Sequence, residues 1–226
     1  MQPSAGNLVD SISILNLYAG LGGNRRLWQD CQVTAVELDP AIASVYQRRF
    51  VNDTVVCADA HEYLEKHYRD FDFIWSSPPC QSHAAFRQNI SVRFRGTAAC
   101  YPDMRLYQEI IFLEANASGF WTVENVNPYY EPLINPTARI GRHLIWSNFE
   151  IDDCKLNRKE RLREAQIPQL EKHHGIDLSR HKIKNKRQIL RNCVDAEIGS
   201  HILKCALNIQ EEEELPLFRY GAENHY

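Results

Sequence analysis

The sequence predicts an α/β fold, a Rossmann-like doubly wound sheet that is mostly parallel. Three observations carry this. Short apolar runs alternate with helical stretches at βα spacing through the first half of the chain. A glycine-rich turn follows the first apolar run immediately, where such sheets bind ligands. Acids, and once a cysteine, recur at the ends of successive runs, on the edge of the sheet that carries the chemistry.

At 226 residues the chain suits one such domain with a small appendage. Hydrophobic content of 44% and charged content of 24% fit a soluble globular protein. No apolar run reaches the ~18 residues of a membrane span. Met1 to Asp10 lacks the basic-then-apolar layout of a signal peptide. The seven cysteines (Cys31, Cys57, Cys80, Cys100, Cys154, Cys193, Cys205) are odd in number and widely spread, with no Cys-x-x-Cys pair. Neither a disulfide framework nor a metal site is expected, and a reducing, cytoplasmic setting fits.

The first strand is expected over Ile12 to Tyr18, followed by Ala19-Gly20-Leu21-Gly22-Gly23, with Asn24 placed to cap a helix running to about Gln29. Strand, glycine turn and helix start form a nucleotide-binding element, although a plain tight turn explains the glycines about as well. A second strand, Val33 to Asp39, ends in Glu37 and Asp39 before the helix-starting Pro40. Glu37 stands about twenty residues past the turn, where such folds hydrogen-bond a ribose; the bland alternative is an exposed strand-end carboxylate. After a helix from Ala41 to about Phe50, a short strand, Thr54 to Cys57, leads to Asp59. That acid can accept from an adenine amino group or cap the next helix.

The fourth strand, Phe71 to Trp75, delivers Ser76-Ser77-Pro78-Pro79-Cys80-Gln81. Two prolines fix φ and remove two donors, so neither strand nor helix continues, and the thiol is held at the strand's carboxyl end. A half-buried structural cysteine after a proline turn is the competing reading. Residues 82–101, with His83, Arg87, Gln88, Arg93, Arg95 and Gly96, read as a long loop suited to a lid over a polyanion. Asp103 then caps an amphipathic helix from Arg105 to about Asn116, with Leu106, Ile110, Ile111 and Leu113 as its apolar face. A fifth strand, Phe120 to Val126, ends in Glu124-Asn125, and strand character resumes over His143 to Ile151.

Between Lys155 and Arg187 stand eleven lysines and arginines against four acids, a local charge of +7 in a chain of net charge −3. This stretch shows no strong apolar periodicity beyond a helix near Arg158 to Ala165. A last helix is expected over Asn192 to Leu207, with Val194, Ile198, Ile202, Cys205 and Ala206 facing a core, and an acidic tail comes after it.

Three blocks, in order, resemble the cytosine-C5 DNA methyltransferase family: Asn16-Leu17-Tyr18-Ala19-Gly20-Leu21-Gly22-Gly23, Pro78-Pro79-Cys80-Gln81 and Glu124-Asn125-Val126. Asp103-Met104-Arg105 and Arg191-Asn192-Cys193-Val194 resemble two further family blocks. The resemblance covers roughly residues 12–150 and 187–207. It implies the class I S-adenosylmethionine-dependent methyltransferase fold, with S-adenosyl-L-methionine as cofactor and DNA as substrate. Cys80 would be the nucleophile toward cytosine C6, Glu124 its partner at N3, and Arg142 the better match to the family's second conserved-block arginine. Tyr18, Gly20 and Gly22 would surround the methionine part, Glu37 the ribose, Asp59 and Pro78 the adenine, and Asn192 and Cys193 the far wall.

The departures are Asn16 for the usual aspartate, Tyr18 for phenylalanine, Ser76-Ser77 where two glycines are common, and a Q-x-R-x-R block present only as Arg139-Ile140-Gly141-Arg142, which leaves its first arginine unassigned. Fewer than 40 residues, 151–186, stand in place of a large target-recognition domain. The basic stretch, Lys155 to Arg187, is expected to serve as a reduced recognition segment contacting phosphates; a solvated basic face or a disordered linker is the competing reading. A homo-oligomer or an accessory recognition partner would complete it; no metal and no membrane partner are implied. Base flipping into the cavity is required because C5 is unreachable inside a duplex. RNA or a free cytosine nucleotide as substrate, and a catalytically silent binder, are the competing readings. Small size with the motif set intact fits a compact phage- or bacterial-type enzyme of the restriction-modification kind.

Overall fold

The computed structural model describes residues 11–85, 87–154 and 165–209. Seven strands among them form one sheet: β1 (Ile12–Leu17), β2 (Cys31–Val36), β3 (Thr54–Val56), β4 (Phe73–Ser76), β5 (Phe120–Val126), β6 (Ala138–Ile140) and β7 (His143–Ser147), in the order β3-β2-β1-β4-β5-β7-β6. The first five are parallel, and β7 enters antiparallel between β5 and β6. The central strands read as continuous apolar runs because both faces are covered: Ile14, Leu15, Phe73, Ile74 and Trp75 are all buried. Strand order reverses at β1 and β4, so their carboxyl ends open the crevice expected of this topology.

One face carries α2 (Ala60–His67) and α4 (Arg105–Asn116), whose Leu64, Leu106, Ile110 and Leu113 pack with Trp121 and Trp146. The other carries α1 (Pro40–Arg49) and, farther along the chain, α7 (Ala196–Ala206). From α7, Ile198, Ile202 and Ala206 close over Ile14, Trp28, Phe73 and Trp75. The α/β architecture of the expectation is therefore present, with an antiparallel edge.

Several local expectations are corrected. Asn24 does not cap an α-helix: it lies inside one 3-10 turn, Asn24–Leu27, and its amide donates to buried Asn16 Oδ1 at 2.9 Å. The stretch taken as loop holds a π-type turn, Arg87–Val92, running into the short helix α3 (Arg93–Arg95). Gly96, at φ 65°, ends it in the left-handed region. On α4, Ile111 is exposed and Glu109 is buried in its place. Asp103 does accept from the Arg105 N–H at 3.1 Å, one residue before the helix-flanking Met104.

The final helix starts later than expected: a separate helix, α6 (Lys186–Asn192), ends where it should begin, Cys193 to Asp195 are non-helical, and α7 follows. The break lets Val194 bury against the glycine turn, where a Cβ on Gly23 would lie 2.3 Å from the Val194 carbonyl. The basic stretch is also more folded than its periodicity suggests. Leu170 on α5 (Ile167–His174), Leu178 and Leu190 form a small core with Leu21 and Val45. The helix expected near Arg158 and the acidic tail lie outside the described residues. Among the described residues no helix is long and apolar enough to cross a membrane.

α7 packs closely on the 3-10 turn. A Cβ on Gly199 would sit 2.2 Å from the Asn24 carbonyl oxygen and 2.6 Å from its Cα, both backbone. The Gly199 carbonyl also accepts from Trp28 Nε1 at 2.9 Å. Gly199→Ala should cost about 2 kcal/mol or more in chemical denaturation, since backbone cannot yield as a side chain does. A loss below about 0.5 kcal/mol would show that this contact does not set the packing of α7.

Candidate active site

A cavity of about 650 Å³ opens at the carboxyl ends of β1, β2, β4 and β5. Its lining brings together Tyr18, Gly20, Glu37, Asp59, Pro78, Cys80, Glu124, Arg142, Asn192 and Cys193. Of the residues singled out from sequence, Gly22 alone lies off that lining. At φ 70° it turns the chain, and a Cβ there would strike the rings of Phe50 and Tyr46.

The glycine turn is braced from two sides. Glu37 accepts from the backbone N–H of Gly20 through Oε2 and from that of Asp39 through Oε1, both at 2.9 Å. Burial raises its carboxyl despite these two bonds. Asp59 realises the capping role: Oδ1 accepts from the N–H groups of His61 and Glu62, while Oδ2 pairs with Arg105 at 3.1 Å. Burial opposes its ionisation, but the Glu62 N–H and Arg105 more than offset it and the carboxyl lies below the ordinary range.

Tyr18 holds a left-handed backbone, φ 55°, uncommon for a bulky residue. A residue the sequence reading did not single out secures it. Glu109, fully buried on α4, accepts from Tyr18 Oη at 2.6 Å, from Ser76 Oγ at 2.6 Å and from His61 Nδ1 at 2.9 Å. One carboxylate thus ties the ends of β1 and β4 to two helices. The signal was a lone acid among Leu106, Ile110 and Leu113 on a helix face that should be apolar.

The Pro-Pro-Cys turn is stitched to β5 rather than left free. Asn125 Nδ2 donates to the Pro78 carbonyl at 3.0 Å, and Trp75 Nε1 donates to Ser77 Oγ at 2.7 Å. Register does the rest: Ser76, the last residue of β4, pairs with Val123, so Glu124 and Asn125 of the longer β5 run alongside the start of the turn. His83, counted above with a lid, is instead wholly buried, its Nδ1 2.5 Å from Tyr130 Oη. An isolated bridge between Ala84 and Pro128 fastens the same turn to the loop after β5.

Burial pushes the Cys80 thiol up to about 11, with the Glu124 carboxylate adding to the rise and Arg142 opposing it. Cys193 is pushed up to about 12 by burial. Glu124 behaves in the opposite way. Burial alone would raise it, but His143, the Ser77 hydroxyl and Arg142 hold it below the usual carboxylate range. His143 was also missed from sequence, although it stands directly after Arg142 at the start of β7. It is buried, and its Nδ1 hydrogen-bonds Glu124 Oε1.

Residues 12–99 match the family model of the C-5 cytosine-specific DNA methylases, supporting the family assignment read from the first two motif blocks. The matched segment includes Cys80 and stops before Glu124. Among solved structures, the Entamoeba histolytica methyltransferase EhMeth aligns over 89% of this chain and 99% of its own, with 11% identity and a TM-score of 0.52. That likeness shows the class I Rossmann-like fold. A mutant of Spodoptera frugiperda DNMT2 aligns at 25% identity over 51% of this chain, with a TM-score of 0.35. The S-adenosylmethionine-dependent methyltransferase of Agrobacterium tumefaciens aligns at 14% identity over 53% of this chain, with a TM-score of 0.36. This chain covers 36% and 40% of the lengths of those two proteins. No curated protein matches.

The raised thiol gives a direct check. Alkylation at Cys80, read by peptide mass spectrometry, should be slow at neutral pH and accelerate toward about pH 11, because the thiolate is the nucleophile. Glu124→Gln removes a charge that raises the thiol and should speed alkylation at neutral pH several-fold. Unchanged or slower alkylation in that variant would mean that the two groups do not interact.

Proposed function

We propose that this chain is an S-adenosylmethionine-dependent methyltransferase acting on C5 of cytosine in DNA. The observation that carries the reading is that Cys80 and Glu124 line the same cavity as Tyr18, Gly20, Glu37 and Asp59. A nucleophile and a carboxylate in one cavity with a nucleoside-type cradle suit a two-substrate transfer.

The cradle fits the cofactor by its donor set. Gly20 brings backbone close, Glu37 presents a carboxylate fixed by two N–H donors, and Asp59 offers another at the next strand end. When bound, S-adenosylmethionine supplies an electrophilic methyl group. The chain's task is to make C5 nucleophilic, which cytosine alone is not. Cys80 sulfur bonds C6 as its thiol proton leaves, the electrons of C5=C6 and C4=N3 shift to leave a C4=C5 enamine, and N3 takes up a proton beside the Glu124 carboxylate. Loss of the C5 proton and expulsion of Cys80 then restore the ring. The cytosine must leave the duplex to reach Cys80.

DNA as the polyanion is supported by exposed basic side chains. Arg93, Arg95, Arg180, Lys182, Lys184 and Arg187 are all exposed, on the segment after Cys80 and on the basic stretch. These are the residue types that contact phosphate and release counterions.

The test uses 5-fluorocytosine, whose C5 cannot lose a proton, so the Cys80 bond to C6 persists. Incubation of the whole protein with S-adenosylmethionine and fluorinated duplex DNA should give one adduct by intact-mass measurement, absent in Cys80→Ala. An adduct with fluorinated RNA or nucleotide but not with DNA would reassign the substrate. No adduct on any of the three, or one that survives Cys80→Ala, would overturn the mechanism.

A further inference from the structure

The neighbour of Glu124 on β7 is a histidine held from both sides, and its surroundings fix which nitrogen carries its proton. His143 is 3% exposed and Glu124 6%. Val126 pairs with His143 across the antiparallel ladder, so Glu124, two residues back on the same face, is its diagonal neighbour. His143 Nδ1 hydrogen-bonds Glu124 Oε1. Its Nε2 faces Arg142 Nε at 3.3 Å. A guanidinium only donates, so Nε2 must offer a lone pair and the single ring proton stands on Nδ1, pointing at Glu124. Arg142 is itself anchored, donating to the Arg191 carbonyl at 2.7 Å. The result is a chain of oriented groups from the α6 backbone through Arg142 and His143 to the carboxylate at the cavity wall.

Resting on the cytosine-C5 reading, we propose that His143 is the positioning residue that holds Glu124 as an aimed carboxylate, so that Glu124 starts the cycle as a base: it takes the proton that Cys80 loses and hands it to N3. The proton count closes without an outside donor. Cys80 gives up its S–H as sulfur bonds C6, Glu124 carries that proton, and N3 gains it as the enamine forms. Expulsion of Cys80 reverses these three transfers, and the proton lost from C5 leaves to solvent.

The same geometry explains why a thiol next to a carboxylate is not a defect. The charge on Glu124 disfavours a free thiolate, yet it is also the acceptor that makes a free thiolate unnecessary. The groups bonded to His143 are Glu124 on β5 and Arg142 at the β6–β7 turn; Cys80 and Ser77 of the Pro-Pro-Cys turn line the same cavity, and Ser77 bonds Glu124. With His143 removed, the burial of Glu124 is opposed by less, and its carboxyl rises.

The experiment measures the rate of adduct formation with fluorinated duplex DNA as pH is varied, in the whole protein and two variants. With internal transfer from Cys80 to Glu124, the wild-type rate should be flat from about pH 5 to about pH 9, between the two groups' titrations. His143→Phe should acquire an acid limb whose midpoint lies at least about one pH unit above any limb in the wild type. His143→Asn, which can still donate to Glu124, should stay flat. A wild-type rate that climbs about tenfold per pH unit toward pH 9 would overturn the transfer from Cys80. A flat profile in His143→Phe, whatever its absolute rate, would reduce His143 to a packing role. Should His143→Phe not fold, infrared difference spectra of wild type against Glu124→Gln at pH ~6 decide the point. Carboxylate bands are expected; a protonated-carboxyl band would overturn the proposal. Absence of any adduct in the wild type would instead defeat the cytosine-C5 reading, which keeps the two failures apart.

Discussion

The site depends on one hydrogen bond, from the Asn125 side chain to the Pro78 carbonyl. Pro78 and Pro79 have no N–H to give a strand ladder, so β4 must stop at Ser76, and the backbone beyond it has lost its natural partner. β5 runs farther, to Val126, and its Asn125 reaches across to satisfy the orphaned acceptor. The bond is buried, so leaving it unmade would cost about 1–3 kcal/mol. It places Cys80 on one strand's overhang beside Glu124 on the next. Parallel register alone brings the strands level; the asparagine fixes the turn beyond β4.

Around that bond the remaining polar groups behave as one braced frame. Glu109 collects Tyr18, Ser76 and His61 beneath the cavity floor. Glu37 holds the turn at Gly20, and His143 holds Glu124. Each is a carboxylate at or beside a parallel strand end, in a place where burial works against charge. Only groups with donors aimed at them can stay there. This is how the few polar groups among the largely apolar lining keep a fixed orientation, as a site that must orient two reactants requires.

Much of this was legible in the sequence. The first five strands, the glycine turn and the acids at strand ends come from alternation and turn chemistry, and the Pro-Pro-Cys block announces a stop. The features that were not legible came from tertiary partners. Asn24 looks like a cap, but buried Asn16 claims its amide. Glu109 shows in the sequence only as a lone acid on the apolar face of α4; its partners Tyr18, Ser76 and His61 come from other elements, while Ile111 is turned to solvent. The last helix reads as starting at Asn192; with Val194 packed against Gly23 it starts at Ala196. His143 was hidden because a histidine opening a strand carries no signal of its own. Its role comes from β7 inserting antiparallel beside β5, which is a matter of topology rather than pattern.

The central claim is that the Asn125 bond, by fixing the Pro-Pro-Cys turn, sets the reactivity of Cys80. The most direct measurement is the rate of covalent capture of fluorinated DNA by Asn125→Ala, alongside its affinity for S-adenosylhomocysteine and its stability. The account predicts capture slowed about tenfold or more, cofactor-product affinity within about twofold, and a stability loss of about 1–3 kcal/mol. Capture at the wild-type rate in a variant that has lost the bond would contradict it.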